Sequence, residues 1–144
     1  MAITILLADD HRMIREGLRA LLETEPGLAV VGEAADGDQA VRLAAELSPR
    51  VVVMDLSMPK LGGLDATRQI VTGNAGGDAG GDAGTDAGTK VVILSAHSDP
   101  RVVEQVIEAG ASGYVLKEMA AEELPEAVRV VSAGGRYLSR GLRG

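Results

Sequence analysis

Asp9, Asp10, Asp55, Ser95 and Lys117 are the side chains on which chemistry could be built, because each closes or directly follows a short apolar run. The runs are "ITILLA" at 3–8, "RVVVMD" at 50–55, "KVVILS" at 90–95 and "GYVLK" at 113–117. Three carboxylates within a few ångströms of one another repel and partly protonate unless a cation joins them. A hard divalent ion held by oxygens answers that repulsion, with Mg²⁺ the first choice and Mn²⁺ an alternative. One carboxylate can then act as a nucleophile toward phosphorus. Lys117 would balance charge on the phosphoryl oxygens, and the Ser95 hydroxyl would donate to another. Asp55 is the choice of nucleophile, since it ends the central apolar run and the turn "LSMPKLGG" behind it exposes that end.

These groups can meet only if the elements carrying them are neighbours. The four runs, with "LAVVGEA" at 28–34 as a fifth, are mostly continuous rather than alternating, as in parallel strands covered on both faces. Helical spacing fills the gaps between them. It shows in Ile14, Leu18, Leu21 and Leu22, then in Ala40, Leu43, Ala44 and Leu47. It returns in Val103, Val106 and Ile107, and again in Leu124, Ala127, Val128 and Val131, with a weaker stretch from Leu64 to Val71. Asp36 is placed to cap the second helix, and Asp99-Pro100 reads as a cap followed by a first-turn proline. A strand-helix alternation repeated five times predicts an α/β protein, a doubly wound, five-stranded parallel sheet with helices on both faces. Active groups of such sheets gather beyond the carboxyl ends of the strands, where all five side chains would lie.

One segment breaks the rhythm. From Asn74 to Thr89 the sequence reads NAGG-DAGG-DAGT-DAGT. Calcium binding by Asp78, Asp82 and Asp86 is conceivable, but the period of four lacks the apolar position of a calcium-binding β-roll. The stretch 73–89 is expected to be a flexible insert between the third helix and the fourth strand, at little entropic cost.

Composition narrows the function. The net charge of −7 and the absence of Phe and Trp argue against a nucleic-acid ligand for this chain itself. No cysteine is present, which removes disulfides and thiolate metal sites and fits a cytoplasmic setting. No apolar run approaches the roughly 20 residues that cross a bilayer, and no secretory signal opens the chain, so no membrane is expected.

Taken singly, each residue has a plain structural reading. Asp9-Asp10 could be a helix cap with a solvated neighbour, Asp55 could cap a turn, Lys117 could be a surface charge and Ser95 a strand-end hydroxyl. The joint pattern at four strand ends is what points to a site. His11 and His97 lie nearby without ligand spacing and are expected to face solvent or to be hydrogen-bonded. Met58 and Pro59 shape the turn.

The stretches "LLADDH", "VVVMDLSMPKLGGLD", "VVILSAHSD" and "EAGASGYVLKE" resemble the motifs of response-regulator receiver domains of two-component systems. More narrowly they resemble the NarL/FixJ branch, and the likeness runs from about Ile3 to Leu138. The resemblance implies a flavodoxin-like sheet of order 2-1-3-4-5. It implies Asp55 as phosphoacceptor, Asp10 as a direct metal ligand, and Asp9 as a ligand directly or through water. The Ser57 backbone carbonyl would be a further ligand, Ser95 the hydroxyl switch, Lys117 the phosphoryl-binding cation and Tyr114 the aromatic switch. It implies a sensor histidine kinase as donor and a homodimer after phosphorylation. DNA would be bound only through a LuxR-type helix-turn-helix output domain. Residues 1–133 are then the receiver and 134–144 the start of a linker, the output domain lying outside this chain. Glu118 stands where many family members carry a proline.

Other functions on such a sheet are disfavoured by particular residues. An aspartyl-phosphate phosphatase wants an acid two residues after its nucleophile, where this chain has Ser57. A nucleotide or flavin binder needs a glycine-rich loop after the first strand, where "ADDHRM" puts two negative charges. A phosphorylation-independent interaction domain would tolerate loss of an acid or the lysine, and all are present.

Overall fold

In the computed structural model, which describes residues 2–77 and 88–142, strands and helices alternate as the apolar spacing requires. The order is β1 (Ile3–Ala8), α1 (Arg12–Glu23), β2 (Leu28–Ala34), α2 (Gly37–Leu47), β3 (Val51–Asp55) and α3 (Gly63–Gly77). Then follow β4 (Lys90–Ser95), α4 (Pro100–Glu108), β5 (Gly113–Leu116), α5 (Ala120–Ser132) and β6 (Tyr137–Leu138). All strand pairs are parallel, in the order β2-β1-β3-β4-β5-β6. The expected 2-1-3-4-5 sheet is therefore present with a short strand added at one edge.

Successive strand residues point to opposite faces, and the two faces carry separate cores. Ile5, Leu7, Val51, Val53, Val92 and Val115 pack with Leu22 of α1 and with Leu124, Ala127, Val128 and Val131 of α5. Leu6, Val52, Met54, Val91, Ile93 and Tyr114 pack with Ala40 and Ala44 of α2, Ala66 and Ile70 of α3, and Val106 of α4. β3 and β4 are buried almost throughout, which is why their sequences show no alternation. Both expected caps are made. Asp36 Oδ1 accepts from the Gln39 amide at 2.8 Å, and Asp99 Oδ1 accepts from the Arg101 amide at 2.9 Å with Pro100 in the first turn.

Three differences from the sequence reading concern element ends. Lys117 does not extend β5 but opens a 3₁₀ turn, Lys117–Met119, which frees its side chain from the pleat. At the segment 73–89, α3 runs on to Gly77, and Thr89 is buried, its hydroxyl donating to the Pro49 carbonyl at 2.7 Å. The aspartates weighed as a calcium site, Asp78, Asp82 and Asp86, lie outside the described residues. At 134–142, expected as linker, Tyr137 and Leu138 pair with Gly113 and Tyr114, and Tyr137 and Ser139 are buried. An apolar Tyr-Leu pair beside an otherwise open β5 edge gains both ladder bonds and burial by docking there.

The turn after β3 is held by close backbone approach. A Cβ on Gly37, the first residue of α2, would overlap the carbonyl oxygen of Leu61. Gly37→Ala is therefore expected to destabilise the fold by about 3 kcal/mol through overpacking, read as a lower urea midpoint.

Candidate functional site

Asp55 is the last residue of β3 and is 2% exposed. Its Oδ1 lies 3.1 Å from Lys117 Nζ and accepts from the Ser57 amide at 3.3 Å. Gly63 keeps the chain tight behind it, since a Cβ there would come within 2.6 Å of the Asp55 carbonyl oxygen. Asp9 follows β1 and is 1% exposed. Its Oδ1 accepts from the His11 amide at 2.8 Å, so it braces the entry to α1 from outside the cap position, which His11 occupies. Asp10 lies at the rim with His11 Nδ1 3.1 Å from its Oδ1.

Two oxygens are left over. Asp9 Oδ2 and Asp55 Oδ2 are buried and have no hydrogen-bond partner. A buried, unsatisfied carboxylate oxygen is costly, and two side by side ask for a shared cation. Ligand atoms of Asp9, Asp10, His11 and Asp55 all lie within 4.8 Å of one another, so the donor set fits a hard divalent ion. His11, weighed in the sequence for want of ligand spacing, is thereby brought into the cluster; its ring is 60% exposed and its Nδ1 also lies 3.1 Å from Asp9 Oδ1. Spacing along the chain carried no sign of this, because the contact partner Asp55 comes from a distant strand.

Burial holds the Asp55 carboxyl above its ordinary range; Lys117 opposes this by hydrogen bonding, and the Asp9 charge adds to the rise. Because the folded value is raised, the native state binds more protons than the unfolded chain above the ordinary carboxylate range. The stability contributed by this group is thus present at low pH and is lost as pH rises from about 4 through the raised value. In chelator the urea midpoint is expected to fall across that window. Mg²⁺ should restore it, by about 2.7 kcal/mol at a concentration 100 times its dissociation constant. Urea melts across pH with and without Mg²⁺ check both signs.

Ser95 ends β4, one register step beyond the Asp55–Leu94 pair, and is 2% exposed. Its Oγ accepts from the His97 amide at 3.0 Å, while the buried Tyr114 hydroxyl donates to the His97 carbonyl at 2.7 Å. Both faces of one peptide segment after β4 are therefore held by the two expected switch residues. Burial pushes the Tyr114 hydroxyl up, and its hydrogen bond with Ser95 opposes the rise.

The geometry brings Asp9, Asp10, Asp55 and Lys117 to one point at the carboxyl ends of β1, β3 and β5. Ser95 and Tyr114 stand beside them, joined through His97. Ser57 enters through its amide on Asp55.

Comparison with known proteins agrees with the site. The family described as "Response regulator receiver domain" matches residues 5–129. The chain is 41% identical over 136 residues to the transcriptional regulatory protein DegU of Brevibacillus brevis, covering 94% of this chain and 52% of that protein. It is 42% identical over 147 residues to the transcriptional regulatory protein LiaR of Bacillus subtilis, covering 96% of this chain and 64% of that protein. The chain thus spans half to two thirds of the length of these curated relatives. Among solved structures it is similar to a two-component response regulator of the LuxR family from Aurantimonas sp. SI85-9A1, with a TM-score of 0.84 and 39% identity. That alignment covers 99% of this chain and 93% of the other.

Proposed function

Since the chain belongs to the response regulator receiver domain family, on its NarL/FixJ branch, we propose that Asp55 accepts a phosphoryl group from a histidine kinase in a Mg²⁺-dependent step. The single observation that carries this reading is the Asp55 carboxylate, buried among acids with one oxygen unpartnered and the other 3.1 Å from Lys117.

Asp9, Asp10 and Asp55 would hold the ion, with the Ser57 carbonyl completing the protein's share. The bound ion supplies charge neutralisation at the phosphoryl oxygens. An Asp55 carboxylate oxygen forms the new O–P bond while the P–N bond of the phosphoimidazole breaks, its electron pair leaving with the imidazole. Lys117 pairs with charge on the transferred group. Ser95 releases the His97 amide and turns its hydroxyl toward a phosphoryl oxygen, and Tyr114 follows into the space beside it. The acceptor is stoichiometric: it promotes its own phosphoryl transfer and loss but turns over no external substrate.

Residues 1–133 form the receiver, and 134–144 start the connection to an output domain that would carry DNA binding in a longer protein. The phosphorylated state is expected to pair as a homodimer in the cytoplasm. No helix among the described residues is long and apolar enough to cross a membrane.

Acetyl phosphate with Mg²⁺ should add the mass of one phosphoryl group to the intact protein, and chelation should prevent it. Equal labelling with and without chelator would defeat the proposal.

A further inference from the structure

Glu123 is a carboxylate in α5 with no exposed surface, and the phosphoryl-transfer chemistry does not use it. It accepts from the Ser139 hydroxyl through Oε1 and from the Arg140 amide at 3.1 Å through Oε2. Arg140 Nε lies 3.7 Å from the same oxygen, on a side chain largely in solvent. Burying an acid is costly, and a leucine would pack there without that cost. The acid therefore has to be read through what it holds.

It holds Ser139, which is itself fully buried. The Ser139 amide donates to the Tyr114 carbonyl at 2.9 Å, the last backbone bond between β6 and β5. Strand β6 then ends, yet the Leu116 amide still finds an acceptor: the Ser139 Oγ, at 2.9 Å. The hydroxyl thus takes the place of the next backbone carbonyl and extends the ladder by one step. That step stops at the residue before Lys117. A hydroxyl that accepts from Leu116 must donate elsewhere, and Glu123 is the buried acceptor it finds.

We infer that Ser139, oriented by Glu123, is a positioning residue for the phosphoryl site. It fixes the β5 backbone at Tyr114 and Leu116, hence the placement of Lys117, and ties occupancy of that site to the seating of residues 137–142. The inference rests on the Asp55 and Lys117 reading above. Whatever moves Tyr114 or Lys117 toward a phosphoryl group must strain or release Ser139, and unseating Ser139 must loosen Lys117 in turn, because coupling between two sites is reciprocal.

The test is a beryllofluoride titration with Mg²⁺, followed by amide hydrogen exchange, on the unaltered chain, Ser139→Ala, Ser139→Thr, Glu123→Gln and Asp55→Asn. Ser139→Ala should weaken beryllofluoride binding roughly tenfold, the worth of one satisfied buried hydrogen bond, while leaving Mg²⁺ affinity unchanged. A purely structural defect would not split the two ligands in this way. Ser139→Thr, which keeps the hydroxyl, should bind as the unaltered chain does. Glu123→Gln should shift in the same direction by a smaller factor, and it carries the test if Ser139→Ala does not fold. Beryllofluoride should change exchange at Leu116, Ser139 and Arg140 in the unaltered chain, and this response should be lost in Ser139→Ala.

Binding and exchange in Ser139→Ala and Glu123→Gln indistinguishable from the unaltered chain, with Asp55→Asn inactive, would overturn this inference alone. No beryllofluoride binding by the unaltered chain would overturn it together with the phosphoacceptor reading.

Discussion

Lys117→Met is expected to slow phosphorylation of Asp55 by acetyl phosphate roughly 10²- to 10³-fold, the usual loss when one preorganised stabilising group is removed from a transition state. The argument is geometric. Lys117 Nζ already lies 3.1 Å from Asp55 Oδ1 before any phosphoryl group arrives, held there by a 3₁₀ turn rather than by a flexible loop. Its charge is therefore in place where negative charge accumulates, with no reorganisation needed. Lys117→Arg should not restore the rate, because a planar fork is wider than an ammonium and presents its donors in a different geometry. In chelator, Lys117→Met removes the one cation beside a buried carboxylate. The cost is expected near 1 kcal/mol, below that of a fully buried pair because the lysine is 31% exposed. Single-turnover rates and urea melts separate the two effects. A Lys117→Met rate close to that of the unaltered chain would remove Lys117 from the chemistry.

Asp9→Asn should split stability from metal binding. The amide oxygen can still accept from the His11 amide, so the entry to α1 is kept. The negative charge beside Asp55 is gone, which relieves one of the causes raising that carboxyl and should stabilise the protein in chelator at neutral pH. Mg²⁺ affinity should fall by at least roughly 10- to 100-fold, the range seen when even a supporting partner of a ligand is lost. The rise in urea midpoint on adding Mg²⁺ should then nearly vanish. Isothermal titration with Mg²⁺ checks the affinity, and a Kd unchanged by Asp9→Asn would take Asp9 out of the ion's shell.

Much of this was legible before any coordinates, for reasons that differ between residues. Asp9, Asp55, Ser95 and Lys117 could be read because each ends a buried strand. A parallel sheet aligns strand ends, so four positions distant in the chain reduce to one edge. The helices of both faces showed in apolar spacing, and Asp36 and Asp99 in cap chemistry. What could not be read lies at short or conditional elements. Strand β6 is two residues long, too short for any periodicity, and docks only because β5 offers an open edge. Glu123 reads in sequence as an ordinary acid in the first turn of a helix, and its burial is decided by Ser139 arriving from sixteen residues away. His11 joins the acids because α1 begins one residue after it and folds its ring back over them, a turn of backbone that spacing alone does not encode.

The measurement that bears most directly on the account is chemical mapping of the phosphorylated residue. The protein is treated with acetyl phosphate and Mg²⁺, reduced with borohydride and digested. An acyl phosphate on Asp55 should be converted to homoserine at position 55 alone, and Asp55→Asn should yield none anywhere. Homoserine at Asp9 or Asp10, or a label that survives reduction on a serine or histidine, would contradict the assignment of Asp55 as the group that the strands are arranged to present.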